Sequence, residues 1–295
     1  MSDHEPTTPP GVALPIAYAG EPGAFAEDAV IAYFGDAPRI AVGSFRDVFG
    51  AVAGGRAAAG VIPIENLVNG TVRENYDLLL EHDLRIVGEV VVPVRLCLAA
   101  LPGVGIESIE RIYSHVQALG QAEAFLRTRP WTLLTSYNTA GAGKSIAERD
   151  DRQAAAVLSP RAAALFGLQV LADGIQAVPD NRTRFLVLAE PGAPVPGPRV
   201  ASTTSHRTTL VLSVTNEPGT LLAVLGVFAE RGINLSKLES RPRADRAWEY
   251  VFWIDLDVAA TDPAFVEAQR ALEPVTTMAR VLGSYPRAGE PGEPG

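Results

Sequence analysis

Two arginines flank a threonine where an apolar run begins: Arg182, Thr183 and Arg184 precede the segment FLVLA. A short apolar run of this kind is typical of a buried strand. Guanidinium and hydroxyl groups bind anions and donate hydrogen bonds, and at the mouth of a buried strand they need either partners or a ligand. The three residues are therefore the first candidates for a site.

Four further stretches place small polar residues between a strand and a helix. Each brings the first turn of a helix, with its unpaired N–H groups and positive end, to the carboxyl end of a strand, where open α/β sheets bind ligands. The pattern predicts a cleft for an anion with more than one carboxylate or phosphate. Ordinary helix capping explains each stretch singly, so this alternative stays open. The stretches are residues 18–30, 61–80, 113–126 and 136–148.

Composition limits the classes of function. A net charge of −9 argues against nucleic acid or an anionic membrane as the main partner. A single cysteine, Cys97, excludes a disulfide or a cysteine-based metal cluster, and the four histidines show no metal-binding spacing, so we predict no metal. The N-terminus lacks the order of a signal peptide and no apolar run is long enough to span a bilayer, which predicts a cytoplasmic protein without membrane partners.

The order of elements indicates two domains. Strands alternate with helices over residues 14–190, which predicts an α/β domain with mostly parallel sheets. Residues 191–206 are rich in Pro, Gly, Ser and Thr and form a predicted linker. Residues 207–285 read as β-α-β-β-α-β, the ferredoxin-like arrangement, and residues 286–295 as a disordered tail.

Several polar residues have competing interpretations. The segment NTAGAGKS resembles a phosphate loop but has Asn138 where that loop needs glycine, so we predict a helix start with Lys144 facing solvent. His115 is a cap or a catalytic residue, and Glu27 and Asp28 are predicted to be solvated. Asn66, directly after the apolar GVIPI, has a buried partner or faces a ligand.

Taken together, five motifs resemble the prephenate dehydratase family with a C-terminal ACT regulatory domain. The catalytic domain has GEPGAFAEDA, GVIPIENLVNGTV, SHVQALGQ and TRF, and the ACT domain has NEPGTLLAVLGVFAERGINLSKLESRP. The resemblance covers essentially residues 16–285, and the order of the motifs is more specific than any one of them. Residues 75–104 are most similar to the subgroup that includes plant arogenate dehydratases.

This resemblance implies a fold and a reaction. The expected fold is a two-lobed, periplasmic-binding-protein-like catalytic domain, with lobes of residues 14–95 plus 178–190 and of residues 96–177, followed by the ferredoxin-like ACT domain. The expected reaction removes the ring carboxylate of prephenate as CO₂ and its ring hydroxyl as water to give phenylpyruvate. Aromatisation supplies the driving force, so no cofactor is expected.

The resemblance also assigns candidate site residues. Thr183 would hydrogen-bond the leaving hydroxyl, Arg184 would secure the site or a carboxylate, and Phe185 would shape the wall of the pocket. The expected substrate contacts are Asn66, Ser114, Gln117 and Thr139. The residues expected to bind L-phenylalanine as an effector, at a subunit interface of a homodimer or homotetramer, are Asn216, Gly219, Thr220, Leu221, Glu239 and Ser240.

Two departures from the family pattern leave the activity open. Leu67 and Ala26 stand where the family has hydroxyl residues, which we interpret as two hydroxyls lost from the pocket. The chain could therefore be a catalytically inactive phenylalanine-binding regulator. It could also be an arogenate dehydratase or a non-aromatising prephenate decarboxylase, although Thr183 and Arg184 favour dehydration over simple decarboxylation.

Overall fold

The structure is a computed structural model, and it describes residues 13–199, 205–242 and 250–289. It has three sheets, two in the N-terminal part and one in the C-terminal part. The strands are β1 (Ile16–Ala19), β2 (Arg39–Val42), β3 (Ala59–Asn66), β4 (Gly70–Thr71), β5 (Arg85–Pro93), β6 (Cys97–Ala100), β7 (Arg111–Ser114), β8 (Thr132–Thr135), β9 (Ala154–Leu158), β10 (Gln169–Asp173), β11 (Arg182–Ala189), β12 (His206–Ser213), β13 (Leu235–Pro242), β14 (Tyr250–Leu256) and β15 (Met278–Pro286).

Nine α-helices lie within the described residues. They are α1 (Phe25–Phe34), α2 (Phe45–Ala53), α3 (Arg73–Glu81), α4 (Val116–Gln121), α5 (Glu123–Leu126), α6 (Thr139–Arg149), α7 (Pro160–Leu165), α8 (Thr220–Ala229) and α9 (Pro263–Leu272). Side-chain caps begin several of them, including Ser44 before α2, Asn138 before α6 and Ser159 before α7. In the described part of the chain no helix has both the length and the apolar character that crossing a membrane requires.

Two sheets build the N-terminal part. The first has the order β2-β1-β3-β11-β5, with β4 paired to β3, and the second has the order β10-β6-β9-β7-β8. Strand β11 returns from the second sheet and lies antiparallel between β3 and β5 in the first. The sheets are therefore mixed, and the prediction of mostly parallel sheets was wrong, because strands that arrive from the other lobe do not follow right-handed βαβ crossovers.

The apolar run 85–101 reads as one continuous strand in the sequence but forms two strands. Strand β5 belongs to the first sheet and β6 to the second, so the chain passes from one lobe to the other between Pro93 and Cys97. Strands β2 and β10 have weak sequence patterns, because they are short, partly exposed strands at the edges of their sheets. Alternation of polarity is diagnostic only where one face of a strand is buried.

The C-terminal part has the predicted β-α-β-β-α-β order. Its antiparallel sheet has the order β13-β14-β12-β15, and helices α8 and α9 cover one face. The other face packs on the first sheet's lobe, where the rings of Trp253 and Tyr76 meet edge to face at 4.7 Å. Part of the predicted linker (200–204) and most of the predicted tail (290–295) lie outside the described residues.

Candidate active site

A cleft of about 460 Å³ lies between the two lobes and is lined by residues of both. The four strand–helix stretches predicted to form a site all reach it, through the first turns of α1, α3, α4 and α6. First-turn N–H groups have no acceptor inside their own helix and attract anions. The cleft therefore has the chemistry needed to bind a small molecule with two carboxylates.

Asn66 and Thr183 form a hydrogen-bonded pair on one wall of the cleft. They are opposite each other on β3 and β11. The two N–H protons of Asn66 Nδ2 are shared among three acceptors, Thr183 Oγ1 at 3.0 Å, the Arg182 carbonyl oxygen at 3.0 Å and Asn181 Oδ1 at 2.9 Å. Asn66 Oδ1 accepts from the backbone N–H groups of Val68 and Asn69, both at 3.0 Å, which fixes the orientation of the amide. Because the Thr183 oxygen accepts from Asn66, its O–H proton is available to donate to a ligand.

The other predicted substrate contacts divide into two groups. Gln117 and Thr139 line the cleft at the starts of α4 and α6, and Phe185, only 2% exposed, forms part of its wall. Ser114 is fully buried, and its hydroxyl donates to the carbonyl oxygen of Val157 at 2.6 Å within the second sheet. The prediction that Ser114 contacts substrate is corrected, because its position at the end of β7 points the hydroxyl into the sheet.

Arg184 lies on the face of β11 that is turned away from the cleft. Successive side chains of a strand alternate between its faces, so the neighbours Thr183 and Phe185 reach the cleft and Arg184 does not. Its guanidinium lies 2.6 Å from Glu65 Oε1, 3.1 Å from Glu89 Oε2 and 2.7 Å from Asp255 Oδ2. Of the two roles predicted for Arg184, contact with a substrate carboxylate is corrected, because three protein carboxylates occupy this guanidinium, and securing the site is the role that remains.

These carboxylates belong to a buried cluster of charges between the two domains. Arg207 of β12 also contacts Glu89 Oε2, at 2.6 Å, and Lys237 of β13 contacts Glu65. Burial raises the pKa of Glu65, but the positive charges of Arg184 and Lys237 outweigh it and hold this pKa below its ordinary value. Burial opposes the charge of Arg184, yet the carboxylates of Asp255 and Glu65 raise its pKa. Both directions favour the charged forms of Glu65 and Arg184.

Ion pairs also join the two lobes beside the cleft. Lys144 is 39% exposed, as expected of a residue that faces solvent, but it also donates to Glu21 of the other lobe at 2.9 Å, a partner that was not predicted. Glu27 is 6% exposed, accepts from Gly23 N at 2.7 Å and pairs with Arg161 of α7, so it is not solvated as predicted. Sequence patterns show charge but not the partner that arrives from the other lobe.

The two departures from the family pattern have different consequences. Ala26 lines the cleft, so a hydroxyl at this position would face a ligand. The Leu67 side chain is 69% exposed and lines a separate hollow on the Arg184 side of the sheet. The interpretation that Leu67 removes a hydroxyl from the pocket was wrong, because Asn66 faces the cleft and the next side chain, that of Leu67, points to the opposite face of the sheet.

Arg73 is a cleft residue that the sequence reasoning missed. It is the first residue of α3, it is exposed, and its guanidinium pairs with no carboxylate among the described residues. The sequence contained evidence for this role, since Arg73 is the one cation in the first turns of the four helices that reach the cleft. An unpaired guanidinium beside helix N-termini is suited to hold a carboxylate.

His115 caps helix α4 and lines the same cleft. Its Nδ1 accepts from the backbone N–H of Gln117 at 3.4 Å, so in the neutral ring Nε2 carries the proton. Burial lowers the pKa of His115 below its ordinary value. The cleft therefore has a neutral N–H donor at pH 7 rather than a cation.

This assignment predicts the titration of His115. In an NMR titration, with the resonance assigned by a His115→Asn variant, the midpoint should lie below the ordinary histidine value of about 6.5. Because the folded protein disfavours the charged ring, its stability should decrease as the pH falls below that value and be unaffected above it. A midpoint above the ordinary value would contradict this environment.

The predicted effector residues lie in two places. Gly219, with φ of +91°, is the N-cap residue before α8, and Asn216, Thr220 and Leu221 lie near it at the surface. Ser240 is exposed on the edge strand β13. Glu239 faces the opposite way and accepts from Thr71 Oγ1 of β4 at 2.6 Å. Only Glu239 of this set contacts the N-terminal domain through a side-chain hydrogen bond within the described residues.

Comparison with known proteins adds independent information. The family model described as prephenate dehydratase matches residues 16–193, and that of the ACT domain matches residues 208–274. The chain is 40% identical over 285 residues to arogenate dehydratase/prephenate dehydratase 2, chloroplastic, of Arabidopsis thaliana, covering 94% of this chain and 74% of that protein.

Solved structures resemble the whole fold. A prephenate dehydratase in complex with L-Phe, from Arthrobacter aurescens, is 34% identical with a TM-score of 0.84, covering 96% of this chain and 92% of that one. A structure named GqqA, a novel type of quorum quenching acylases, is 29% identical with a TM-score of 0.83, covering 92% and 98%. The two-lobed architecture followed by an ACT domain is thus shared over nearly the full length.

Proposed function

Since this chain belongs to the prephenate dehydratase family and has the family's ACT domain, we propose that its cleft converts prephenate to phenylpyruvate. The observation that carries the proposal is the Thr183 hydroxyl, held by Asn66 with its proton available to the cleft. The first turns of four helices around it supply donors for the two carboxylates of the substrate.

The reaction needs binding and one directed hydrogen bond. The bond between the ring and its carboxylate breaks, CO₂ leaves, and the electron pair enters the ring. The C–O bond to the ring hydroxyl breaks at the far side, and the hydroxyl takes up a proton to leave as water. Thr183 lowers the barrier by donating to that hydroxyl as negative charge develops on it. Phe185 forms the apolar wall against the ring, and Gln117 and Thr139 orient the polar groups.

Turnover of prephenate by the purified protein tests this function. Phenylpyruvate is followed by its absorbance in base, and the spectrum of the product separates dehydration from decarboxylation without aromatisation. No product, with or without L-phenylalanine, would overturn the proposal and favour an inactive regulator. Arogenate is the second candidate substrate, since the Arabidopsis relative is named for both reactions. The ratio of kcat/KM for the two substrates decides between them.

Arg73 supplies a prediction for substrate binding. Replacing Arg73 by glutamine should raise KM for prephenate about tenfold, the effect of losing a charge-assisted hydrogen bond of about 1.5 kcal/mol, and should change kcat less. The matched control is Arg46→Gln, an exposed arginine that pairs with Glu81 outside the cleft. An unchanged KM in the Arg73 variant would remove this residue from the substrate site.

We further propose that L-phenylalanine binds the ACT domain near the start of α8 and regulates turnover. The support is the ACT domain itself and the L-Phe complex of the similar Arthrobacter protein. A second copy of the chain would complete this site at the open edge of β13, next to Ser240, where Leu222 and Leu238 are exposed. The cytoplasmic location and the homodimer or homotetramer stay predictions.

A further inference from the structure

The wall of the cleft and the domain boundary are two faces of the same pair of strands. On β3 and β11, Asn66 lies opposite Thr183, and one step along Glu65 lies opposite Arg184. Because side chains alternate along a strand, the first pair faces the cleft and the second pair faces the ACT domain. Each residue of one pair is covalently linked to a residue of the other.

Two ACT strands bind this second pair from the far side. Asp255 of β14 contacts Arg184 at 2.7 Å, and Lys237 of β13 contacts Glu65. Beside them Glu239 of β13 accepts from Thr71, which pairs with Glu65 in the hairpin of β3 and β4 and also lines the cleft. The ACT domain thus contacts the residues next to the catalytic pair, rather than a remote surface.

Burial makes these contacts stiff. The side chains of Arg184, Glu89 and Asp255 are 10%, 2% and 6% exposed, so little water can replace a partner that moves away from them, whereas the Glu65 side chain is 35% exposed and lines the hollow beside Leu67. Separating Arg184 from a buried carboxylate costs free energy, because the carboxylate is then left without a partner. We therefore expect β11 to move together with the ACT sheet. Because Arg184 and Thr183 are consecutive residues, a displacement of Arg184 is expected to move Thr183 and its hydroxyl as well.

We propose that the Glu65–Arg184 pair, called the joint below, couples the conformation of the ACT domain to that of the Asn66–Thr183 pair. Arg184 is a positioning residue for Thr183, and Lys237 and Asp255 are its connections to the ACT domain. The inference rests on the proposed function, since it takes Thr183 to act on prephenate and L-phenylalanine to bind the ACT domain.

A continuous path of contacts between two sites shows coupling only if a ligand bound at one site changes the affinity of the other site for its own ligand. The test is the Kd of L-phenylalanine, measured by calorimetry with and without saturating phenylpyruvate in the cleft. In the wild-type protein the two values should differ by at least about fivefold, the lower end of typical coupling. In Lys237→Met the ratio should fall below about twofold, while Kd for L-phenylalanine alone changes little.

Matched variants separate this role from a general loss of structure. Lys237→Arg keeps the charge and should restore the wild-type ratio. Asp77→Asn alters another contact between the domains, the pair of Asp77 with Arg241 at 3.2 Å, and should leave the ratio unchanged. Asp255→Asn provides a second route to the joint if Lys237→Met folds poorly, and its ratio should fall in the same way.

The outcomes are distinguishable. If Lys237→Met or Asp255→Asn has the wild-type ratio of the two Kd values, the proposed role of the joint is excluded and the proposed function is unaffected. A wild-type protein that turns over prephenate but shows no coupling excludes this role as well. A wild-type protein without turnover overturns the proposed function and this inference with it, and the assay shows this before any variant is compared.

Discussion

Replacement of Thr183 by alanine is expected to lower kcat for prephenate by about 10²- to 10³-fold, the loss typical of removing one preorganised transition-state donor. The reason is local geometry: Asn66 Nδ2 donates to Thr183 Oγ1 at 3.0 Å, so the threonine proton is directed to a ligand. The hydroxyl acts on charge that develops only as the C–O bond breaks. The loss should therefore appear in kcat and in kcat/KM alike, with little change in KM.

Two variants of Thr183 serve as controls for this prediction. Thr183→Ser keeps the hydroxyl and should retain most of the activity, whereas Thr183→Val keeps the shape and should lose as much as alanine. Steady-state rates and the thermal midpoint of each variant separate chemistry from folding. A valine variant with wild-type kcat would exclude the hydroxyl from the mechanism.

Replacement of Arg184 by methionine is expected to lower the free energy of unfolding by about 3–5 kcal/mol, the typical cost of leaving buried charges unpaired. Arg184 contacts Glu65, Glu89 and Asp255, and the latter two carboxylates are almost fully buried. Methionine fills a similar volume but supplies neither charge nor donor. Urea denaturation of both proteins, followed by fluorescence and circular dichroism, measures the difference.

The pH dependence identifies the cause of this loss. In the wild-type protein Arg184 helps to hold the pKa of Glu65 below its ordinary value, so that pair stabilises the fold above about pH 4.3 and less as the pH falls through the lowered pKa. The difference in the free energy of unfolding between Arg184→Met and the wild-type protein should therefore decrease as the pH falls. The control Arg46→Met removes an exposed pair with Glu81 and should change stability little. A difference that is independent of pH would contradict the electrostatic explanation.

Much of the fold was predictable because its signals are local. The β-α-β-β-α-β order of the C-terminal domain follows from hydrophobic periodicity and turn residues, and the structure has that order. The meeting of two helix starts at the edge of each sheet was also predictable, since the carboxyl ends of neighbouring parallel strands share an edge. That the two edges face each other across one cleft was decided by the tertiary structure. Asn66 was identified as a buried residue with partners or a ligand, and it has both a partner in Thr183 and a place in the cleft.

The errors concern partners that come from far along the chain. Glu27 was predicted to be solvated, and it is buried in a pair with Arg161 of the other lobe. Lys144 is partly exposed as predicted, but its pair with Glu21 of the other lobe was missed. Ser114 was expected in the cleft, and its hydroxyl instead satisfies a carbonyl oxygen of a neighbouring strand. The mixed sheets were missed because the position of β11 between β3 and β5 depends on a return from the second lobe.

The sequence by itself determined the family, the order of the elements and the position of the TRF triplet at the start of a buried strand. Only the tertiary structure decided which face of that strand each residue occupies: Thr183 reaches the cleft, and Arg184 reaches the ACT domain. The physical reason is that alternation makes neighbours face opposite ways, while the register with β3 and the sheet packed behind determine what each face meets. The two arginines beside Thr183 are therefore explained by the ion pairs around the triplet, with Asp180 for Arg182 and the interdomain cluster for Arg184.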